Sequence, residues 1–410
     1  MSSLPRQLED GIGAGERPMP EVEARPASER YEQFGQAVAS HPVAAPPAAG
    51  RLIVSDARPG LPPLAALERD WKRLQRMAHP ANPFLSWEWQ SAWAAARPDG
   101  ARPLVVAETH PAGGLAGLLA LQRVRRRGLW QLEFLAQGSG GDELDCLLHP
   151  EAPPGVAGRL WAAALGRGRW DLLRLESQHA PGAAACIAAL PFGGVRLAGE
   201  WLPWLPLPAS FEAFLAAQSA NFRAEIRRRR RSLFRRLPGA RIECARSPWA
   251  VADGLEHLFR LHQVRRRQQG GRGIFTPAMR AFHHRAAAGM TAAGPAAAIE
   301  ARLYLLRTPT AVIAALYGFQ SATRFFYYQS GFDPAAGEHS PGTVLLSAVI
   351  EDCIARGLES FEFLRGEEAY KNRWTAARRH SPATLAAGSP AGRAFLALRR
   401  LRRRFAGAQP

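Results

Sequence analysis

The sequence predicts an α/β protein made of two copies of one unit, each a mixed sheet flanked by helices. Two observations predict it. Helical and strand-like apolar patterns follow the same order twice along the chain: helices, three strands, a helix, a strand. The stretch from Phe325 to Trp374 then parses as strand, glycine-bearing loop, helix, strand and polar loop. With 410 residues and 47% hydrophobic content, the chain can bury cores for two domains.

Residues 1–48 are rich in Pro, Ala, Gly and Glu without a sustained apolar period, which predicts a disordered leader. Residues 49–205 hold the first copy, and structure begins near Leu52. Helices are expected over Asp70–Met77 and Trp87–Ala96, the latter with Trp89 and Trp93 at i,i+4 spacing, read as core. Strands are expected over Pro103–Glu108, Leu115–Val124 and Trp130–Gln137, punctuated by Gly113-Gly114 and Gly128. A loop, Gly138–Asp142, and the short run Leu144–Leu148 lead to a helix over Val156–Leu165 and a strand over Trp170–Leu175. The loop has glycines enough for a phosphate cradle. No well-capped helix starts directly behind it, so a hairpin or substrate-facing loop is the better reading.

Pro203–Pro208 reads as a linker, and residues 206–388 hold the second copy. Ser210 caps a helical pattern running to Leu237. Between Arg223 and Arg236 this pattern is dense in arginine, with Phe222, Ile226 and Leu233 as its apolar stripe. A solvated helix face is the plain reading, and association with tRNA phosphates, anionic glycan or a membrane surface the sharper one. Helices over Ala252–Arg267 and Pro277–Ala288 carry His257, His262, His283 and His284, whose spacing makes no convincing metal site. Strands follow at Ile299–Leu306, Val312–Gln320 and Arg324–Ser330. Ser340 is placed as an N-cap, Pro341 fits the first helical position, and Gly342 and Thr343 offer free N–H groups. The helix ends at Gly357, and the strand Ser360–Leu364 follows. A glycine-bearing loop feeding a helix start is a ready anion site, with phosphate the first guess. From the cap alone, an ordinary capped helix in a strand-helix-strand unit is the better account. Residues 389–410 end the chain in a basic helix and tail, with an amphipathic helix over Arg393–Phe405.

The formal charge of +18 implies an anionic partner: nucleotide cofactor, tRNA, membrane surface or acidic glycan. Cysteines 146, 186, 244 and 353 have neither metal-ligand spacing nor a disulfide framework, which fits a reducing cytoplasm. No apolar run is of bilayer-spanning length, and the N-terminus has no signal-peptide core. Of the 53 basic residues only Lys72 and Lys371 are lysines. A lysine that escapes such a bias is a candidate for a role that needs its compact ammonium and three donors, with chance the alternative and the accepted reading for Lys72.

The segment Phe361-Glu362-Phe363-Leu364-Arg365-Gly366-Glu367-Glu368-Ala369-Tyr370-Lys371-Asn372-Arg373-Trp374, preceded by the Tyr327-Tyr328 turn region and the Ser340-Pro341-Gly342-Thr343 helix start, resembles the BioF2-like, CelD-type acyltransferases. That group belongs to the GCN5-related N-acetyltransferase (GNAT) superfamily and is close to the FemABX peptidyltransferases. The weaker likeness runs over roughly residues 50 to 385, with Glu362 and Glu367 standing where the family commonly has Asp.

The resemblance implies tandem GNAT-like modules, the second binding acyl-CoA (acetyl-CoA) as co-substrate, with no metal. Its acyl group would pass to an amine or hydroxyl on a small-molecule or glycan acceptor, an exopolysaccharide or cell-envelope precursor. Ser340, Gly342, Thr343 and Arg365 would bind the cofactor, Glu362 and Glu367 would be bases, Tyr370 would protonate the thiolate, and Lys371 would position phosphate or acidic substrate. Glu362 as a structural ion-pair partner, and Tyr370 with Trp374 as an aromatic pair, are the alternatives. Aminoacyl-tRNA-dependent peptidyl transfer and a non-catalytic GNAT-fold binding protein are the rival functions. Nucleic acid is expected only in the tRNA reading. The location implied is cytoplasmic, with peripheral contact at the inner membrane face.

Overall fold

Two antiparallel meanders, facing each other across a shared centre, set the architecture. The computed structural model describes residues 50–406, apart from 57–60, 79–80, 97–99, 180–185, 187, 189, 191–193, 269–272, 293–296 and 367. The expected leader therefore lies outside the described residues. The first half contains β1 (Leu52–Asp56), helices α1 (Glu68–Met77) and α2 (Trp87–Ala96), then the meander β2 (Arg102–Thr109), β3 (Leu115–Arg126) and β4 (Leu129–Phe134). A short β5 (Leu147–Leu148) pairs with β3, and helix α3 (Val156–Leu165) leads to β6 (Leu172–Leu175), which runs parallel to β4.

The second half repeats this order. After β7 (Val195–Pro206) and helices α4 (Phe211–Ala217) and α5 (Ala220–Arg236) come β8 (Arg241–Ala245), α6 (Pro248–Gln268) and α7 (Pro277–Ala292). The meander β9 (Glu300–Arg307), β10 (Val312–Gln320) and β11 (Arg324–Phe332) follows, then α8 (Pro341–Ala355) and β12 (Ser360–Glu362), parallel to β11. β13 (Arg378–Ala387) and α9 (Pro390–Ala406) close the chain.

The strands form one sheet in the order β1-β2-β3-β4-β6-β13-β7-β12-β11-β10-β9-β8, with β5 beside β3. Each half thus gives its last strand to the other. β7 follows β6 in sequence but pairs with β12, and β13 follows β12 but pairs with β6. β7 and β13 pair with each other at the centre. Pro203–Pro206, expected as a linker, is the end of β7. Prolines are tolerated there because backbone N–H groups of neighbours, such as that of Phe363 on Pro203 O (3.0 Å), need only its carbonyls.

The helical pattern from Ser210 to Leu237 is two helices. Ser219 interrupts it, its hydroxyl accepting the Phe222 N–H as a new N-cap. The short β12 ends two residues before the expected Leu364, which adopts a left-handed conformation (φ 58°).

One apolar core joins the first half to α6, α7 and one face of β9–β11: Trp89 of α2 meets Phe282 of α7 with centroids 4.6 Å apart. A second core lies on the opposite face of the second half, under α4, α5 and α8. Along β11, Phe325 and Tyr327 enter this second core while Phe326 and Tyr328 face the first, as period-2 alternation requires. Among the described residues no helix is long and apolar enough to cross a membrane.

Candidate active site

β11 and β12 pair at only three positions, Arg324↔Ser360, Phe325↔Phe361 and Phe326↔Glu362. Beyond them the strands part. Phe363 stays with β7 through its N–H, and the left-handed Leu364 turns the chain away, while β11 remains on β10 as far as Phe332. Tyr328 is a bulge residue: Tyr317 faces Gln329 and Gly318 faces Tyr327, leaving Tyr328 unmatched. Gly318 permits this, since a Cβ there would lie 2.6 Å from Phe326 O. The edge of β11 from Tyr327 to Phe332 is therefore not covered by β12, a span of about 17 Å at roughly 3.4 Å per residue.

The opening leads to the start of α8. Pro341 takes the first helical position as expected, but Ser340 does not cap with its side chain. The turn Pro334–His339 ends with the Ser340 N–H on Gly337 O (2.9 Å), which leaves Ser340 left-handed (φ 52°, ψ 47°). The N–H groups of Gly342 and Thr343 lie in the first helical turn, where no intrahelical acceptor exists.

Facing this start is α5. Arg229 Nη1 donates to Thr343 Oγ1 (3.1 Å), and Arg230 pairs with Glu351 of α8 (2.5 Å). A cleft of about 480 Å³ lies between them, lined by Arg228, Arg229, Arg231, Arg235 and Arg236 with Ser232, Glu338, His339 and Ser340. Glu225 takes up part of the charge of Arg229, and Glu338 lies 3.8 Å from Arg236. Five guanidinium groups and a helix start make the cleft strongly attractive to phosphate. The sequence singles out this arginine run but not its partnership with Ser340. Its signal is helical spacing: Arg228, Arg231 and Arg235 fall at i, i+3, i+7, with Arg229 and Arg236 alongside.

Glu362, Arg365 and Lys371 are each held by ion pairs or hydrogen bonds within the protein. Glu362, 4% exposed, accepts from Arg324 Nε (3.1 Å), from Arg379 Nη2 with both oxygens (2.7 and 2.9 Å) and from Ser360 Oγ (2.7 Å). The same two arginines hold Glu143 of the first half, at 2.6 and 2.9 Å. Burial pushes the Glu143 carboxyl up, but Arg324 and Arg379 outweigh it and hold it below the usual range. Glu362 is thus a member of a buried, charge-balanced square, the ion-pair alternative stated for it.

Arg365 points to the first half. Its backbone N–H donates to Asp142 Oδ2 (2.8 Å), and Nη2 donates to Gly141 O (3.0 Å). Lys371, 3% exposed, gives its ammonium to Leu364 O (3.3 Å), Arg365 O (2.7 Å) and Glu368 Oε2 (2.8 Å). It holds the turn after β12 closed. Glu367 lies outside the described residues.

Tyr370 is 41% exposed, its hydroxyl 3.5 Å from that of Tyr327, which meets Ser330 Oγ at 2.5 Å. Burial of the hydroxyl, then the neighbouring Tyr327, pushes the Tyr370 pKa above the ordinary tyrosine value. Trp374 packs between Phe214 and Phe222 in the second core rather than pairing with Tyr370.

The Gly138–Asp142 loop of the first half closes the other side. Tyr328 Oη donates to Ser139 O (2.5 Å), and Asp142, 1% exposed, takes the Arg365 N–H. At the vertex where β11 and β12 part, Phe84, Asp142, Glu143, Leu202, Arg324, Phe326, Glu362 and Leu364 enclose a cavity of about 10 Å³. The corresponding opening in the first half is stitched shut. Gln137 donates to Arg174 O (3.2 Å) and accepts the Glu176 N–H (2.9 Å), spanning the gap between β4 and the end of β6.

Among the described residues no group of His, Cys, Asp and Glu is placed to hold a metal ion, and Cys146, Cys186, Cys244 and Cys353 are free.

Residues 220–372 match the family model described as the acetyltransferase (GNAT) domain. No curated protein matches the chain. Among solved structures, FemX is similar at 10% identity and TM-score 0.53, over 77% of this chain and 95% of its own. The C-terminal domain (DUF2156) of a candidate lysylphosphatidylglycerol synthetase from Agrobacterium fabrum is similar at 13% identity and TM-score 0.51, over 81% and 95%. Residues 220–372 are thus similar to the GNAT acetyltransferase domain, and the chain has a mixed α/β fold shared with those structures.

Proposed function

We propose that the chain is an acyltransferase that moves an acyl group, acetyl in the simplest case, from acyl-CoA to an amine or hydroxyl. The observation that carries this is the parting of β11 and β12 toward an arginine-lined helix start. The pyrophosphate would rest on the N–H groups of Gly342 and Thr343. The pantetheine arm would add to the free edge of β11 as an extended strand, running back toward the vertex. Tyr370, kept protonated by its surroundings, would give its proton to the departing thiolate. The acceptor is a small molecule or glycan, and the BioF2-like and CelD-type resemblance points to an exopolysaccharide or cell-envelope precursor.

On this reading residues 49–205 and 206–388 are two GNAT-like modules, only the second of which takes a donor. The stitching of the first opening by Gln137 supports that division of labour. The protein acts in the cytoplasm, and peripheral contact with an anionic membrane face would fall to α9, on which Arg393, Leu398 and Arg399 are exposed.

The charge of the cleft also favours a second reading, transfer from aminoacyl-tRNA, as the resemblance to FemABX enzymes implies. One experiment separates the two. Thiol release from acetyl-CoA by ribonuclease-treated protein is expected to continue unchanged. Transfer that needs added aminoacyl-tRNA, and stops with ribonuclease, supports the second.

A further inference from the structure

We propose that Asp142, delivered by the first half, is the base that takes the acceptor's proton at the vertex of the β11/β12 opening. The proposal rests on the acyl-CoA reading: an arm that starts at α8 and follows β11 backward from Phe332 brings its thioester to Phe326 and Glu362, the last paired residues. The cavity lies there, with room for about one water-sized group.

Three carboxylates meet this cavity, and two are spoken for. Glu143 and Glu362 each hold both Arg324 and Arg379. Among the described residues Asp142 has one cationic partner, Arg365. Its Oδ2 accepts the Arg365 N–H, while Oδ1 is buried and accepts no aligned hydrogen bond among the described residues, although Arg365 Nε lies 3.1 Å away. Burial raises the pKa of Asp142, Arg365 opposes the rise with its charge and its N–H, the Ser177 hydroxyl opposes it further, and Glu143 adds to it. Tyr328 of β11 faces the same carboxylate, and burial pushes its hydroxyl pKa up, so that it stays neutral beside Asp142. Of the three, Asp142 alone keeps an oxygen without an aligned hydrogen bond among the described residues, and burial raises its affinity for a proton.

The step balances without an added reagent. The acceptor's nitrogen or oxygen attacks the thioester carbon, and its proton passes to Asp142 Oδ1. The C–S bond breaks, its electron pair leaves with sulfur, and the thiolate takes a proton from Tyr370. Asp142 then loses its proton to solvent and Tyr370 regains one, giving acylated acceptor and free CoA thiol.

The experiment follows thiol release from acetyl-CoA, with hydroxylamine and water as small acceptors, across pH in wild type, Asp142→Asn, Asp142→Glu and Arg365→Gln. CoA-induced melting shifts are recorded for each. A base works deprotonated, so the wild-type rate should rise with pH through an acid limb. Asp142→Asn should keep the CoA shift, lose about 10²–10³ in rate and lose the limb. Asp142→Glu should restore part of the rate. Arg365→Gln removes the cation that lowers the Asp142 pKa, so the limb should move to higher pH, which a merely structural anchor would not produce. An unchanged limb in Arg365→Gln, or a rate in Asp142→Asn within about threefold of wild type, overturns the assignment of Asp142 while the CoA shift keeps the donor reading. Absence of a CoA shift in wild type overturns the donor reading itself, and this assignment with it. If Asp142→Asn does not fold, the limb in Arg365→Gln decides.

Discussion

Removing the Lys371 ammonium would leave the carbonyls of Leu364 and Arg365 without their charged donor in a buried turn. Lys371→Met should therefore cost about 3 kcal/mol in urea titrations, with activity tracking the folded fraction. Loss of rate at unchanged stability would return Lys371 to the chemistry. Its rarity made it legible in the sequence, and its compact three-donor head is indeed what the turn uses. Which groups it serves depends on a left-handed Leu364 that no local pattern announces.

Tyr370→Phe should lose about 10²-fold in thiol release while keeping stability and CoA binding. Because the Tyr370 pKa is raised, the wild-type rate should show no alkaline fall through the ordinary tyrosine range, measured as a pH–rate profile. His283 makes a different pH prediction. It is fully buried among Trp89, Phe275, Phe282 and Tyr317, and burial, with His284 second, lowers its pKa to about 3. A folded value below the unfolded one of about 6.5 means that protonation favours unfolding. Its contribution is full above that pH and falls by about 1.4 kcal/mol per unit as pH drops toward the folded value. His283→Phe should flatten the loss of stability between neutral and mildly acid pH, read from urea midpoints.

At the scale of elements, the proposed phosphate site needs α5 and α8 together, since α5 and Ser340 at the start of α8 both line its cleft. Arg229→Gln with Arg236→Gln should weaken CoA binding several-fold and reduce its salt dependence. Stability should barely change, because the Arg236 pair is exposed and weak and Arg229 is only half-buried. Unfolding of the double variant would show that these arginines hold α5 in place instead.

Most helices and the inner strands were legible because their apolar periods are long: Trp87–Ala96, Val156–Leu165 and Val312–Gln320 fall as the patterns predict. β8 and β13 were not. β8 is a half-buried edge strand with a weak alternation, and β13 carries arginines, His380 and Pro382 among its residues. The arginine run was visible as charge. That its face looks onto Ser340 is a tertiary fact, set by Arg230–Glu351 and the apolar packing of Phe222, Ile226 and Leu233.

Over the whole molecule, the exchange of β7 and β13 makes each half depend on the other. The duplicated order of elements could be read from the sequence, but a crossing of final strands leaves no local trace, and prolines at 203, 206 and 208 mimic a linker. A fragment of residues 49–205 would lack β13, and one of residues 206–388 would lack β7. Each is expected to be insoluble or molten alone and to recover native-like circular dichroism when the two are expressed together. Independent folding of either would contradict the coupling drawn from the sheet order. The exchange also explains how Asp142 and Glu143 of the first half converge on one vertex with Arg324, Arg365 and Arg379 of the second.

The central claim is that the edge of β11 and the start of α8 hold the acyl donor. Amide hydrogen exchange with and without CoA tests it most directly. The account predicts new protection confined mainly to Tyr327–Phe332 and to Ser340–Val344, from an arm added to the strand and phosphates on the helix start. CoA binding that protects neither segment, or protects a different face of the molecule, would contradict it.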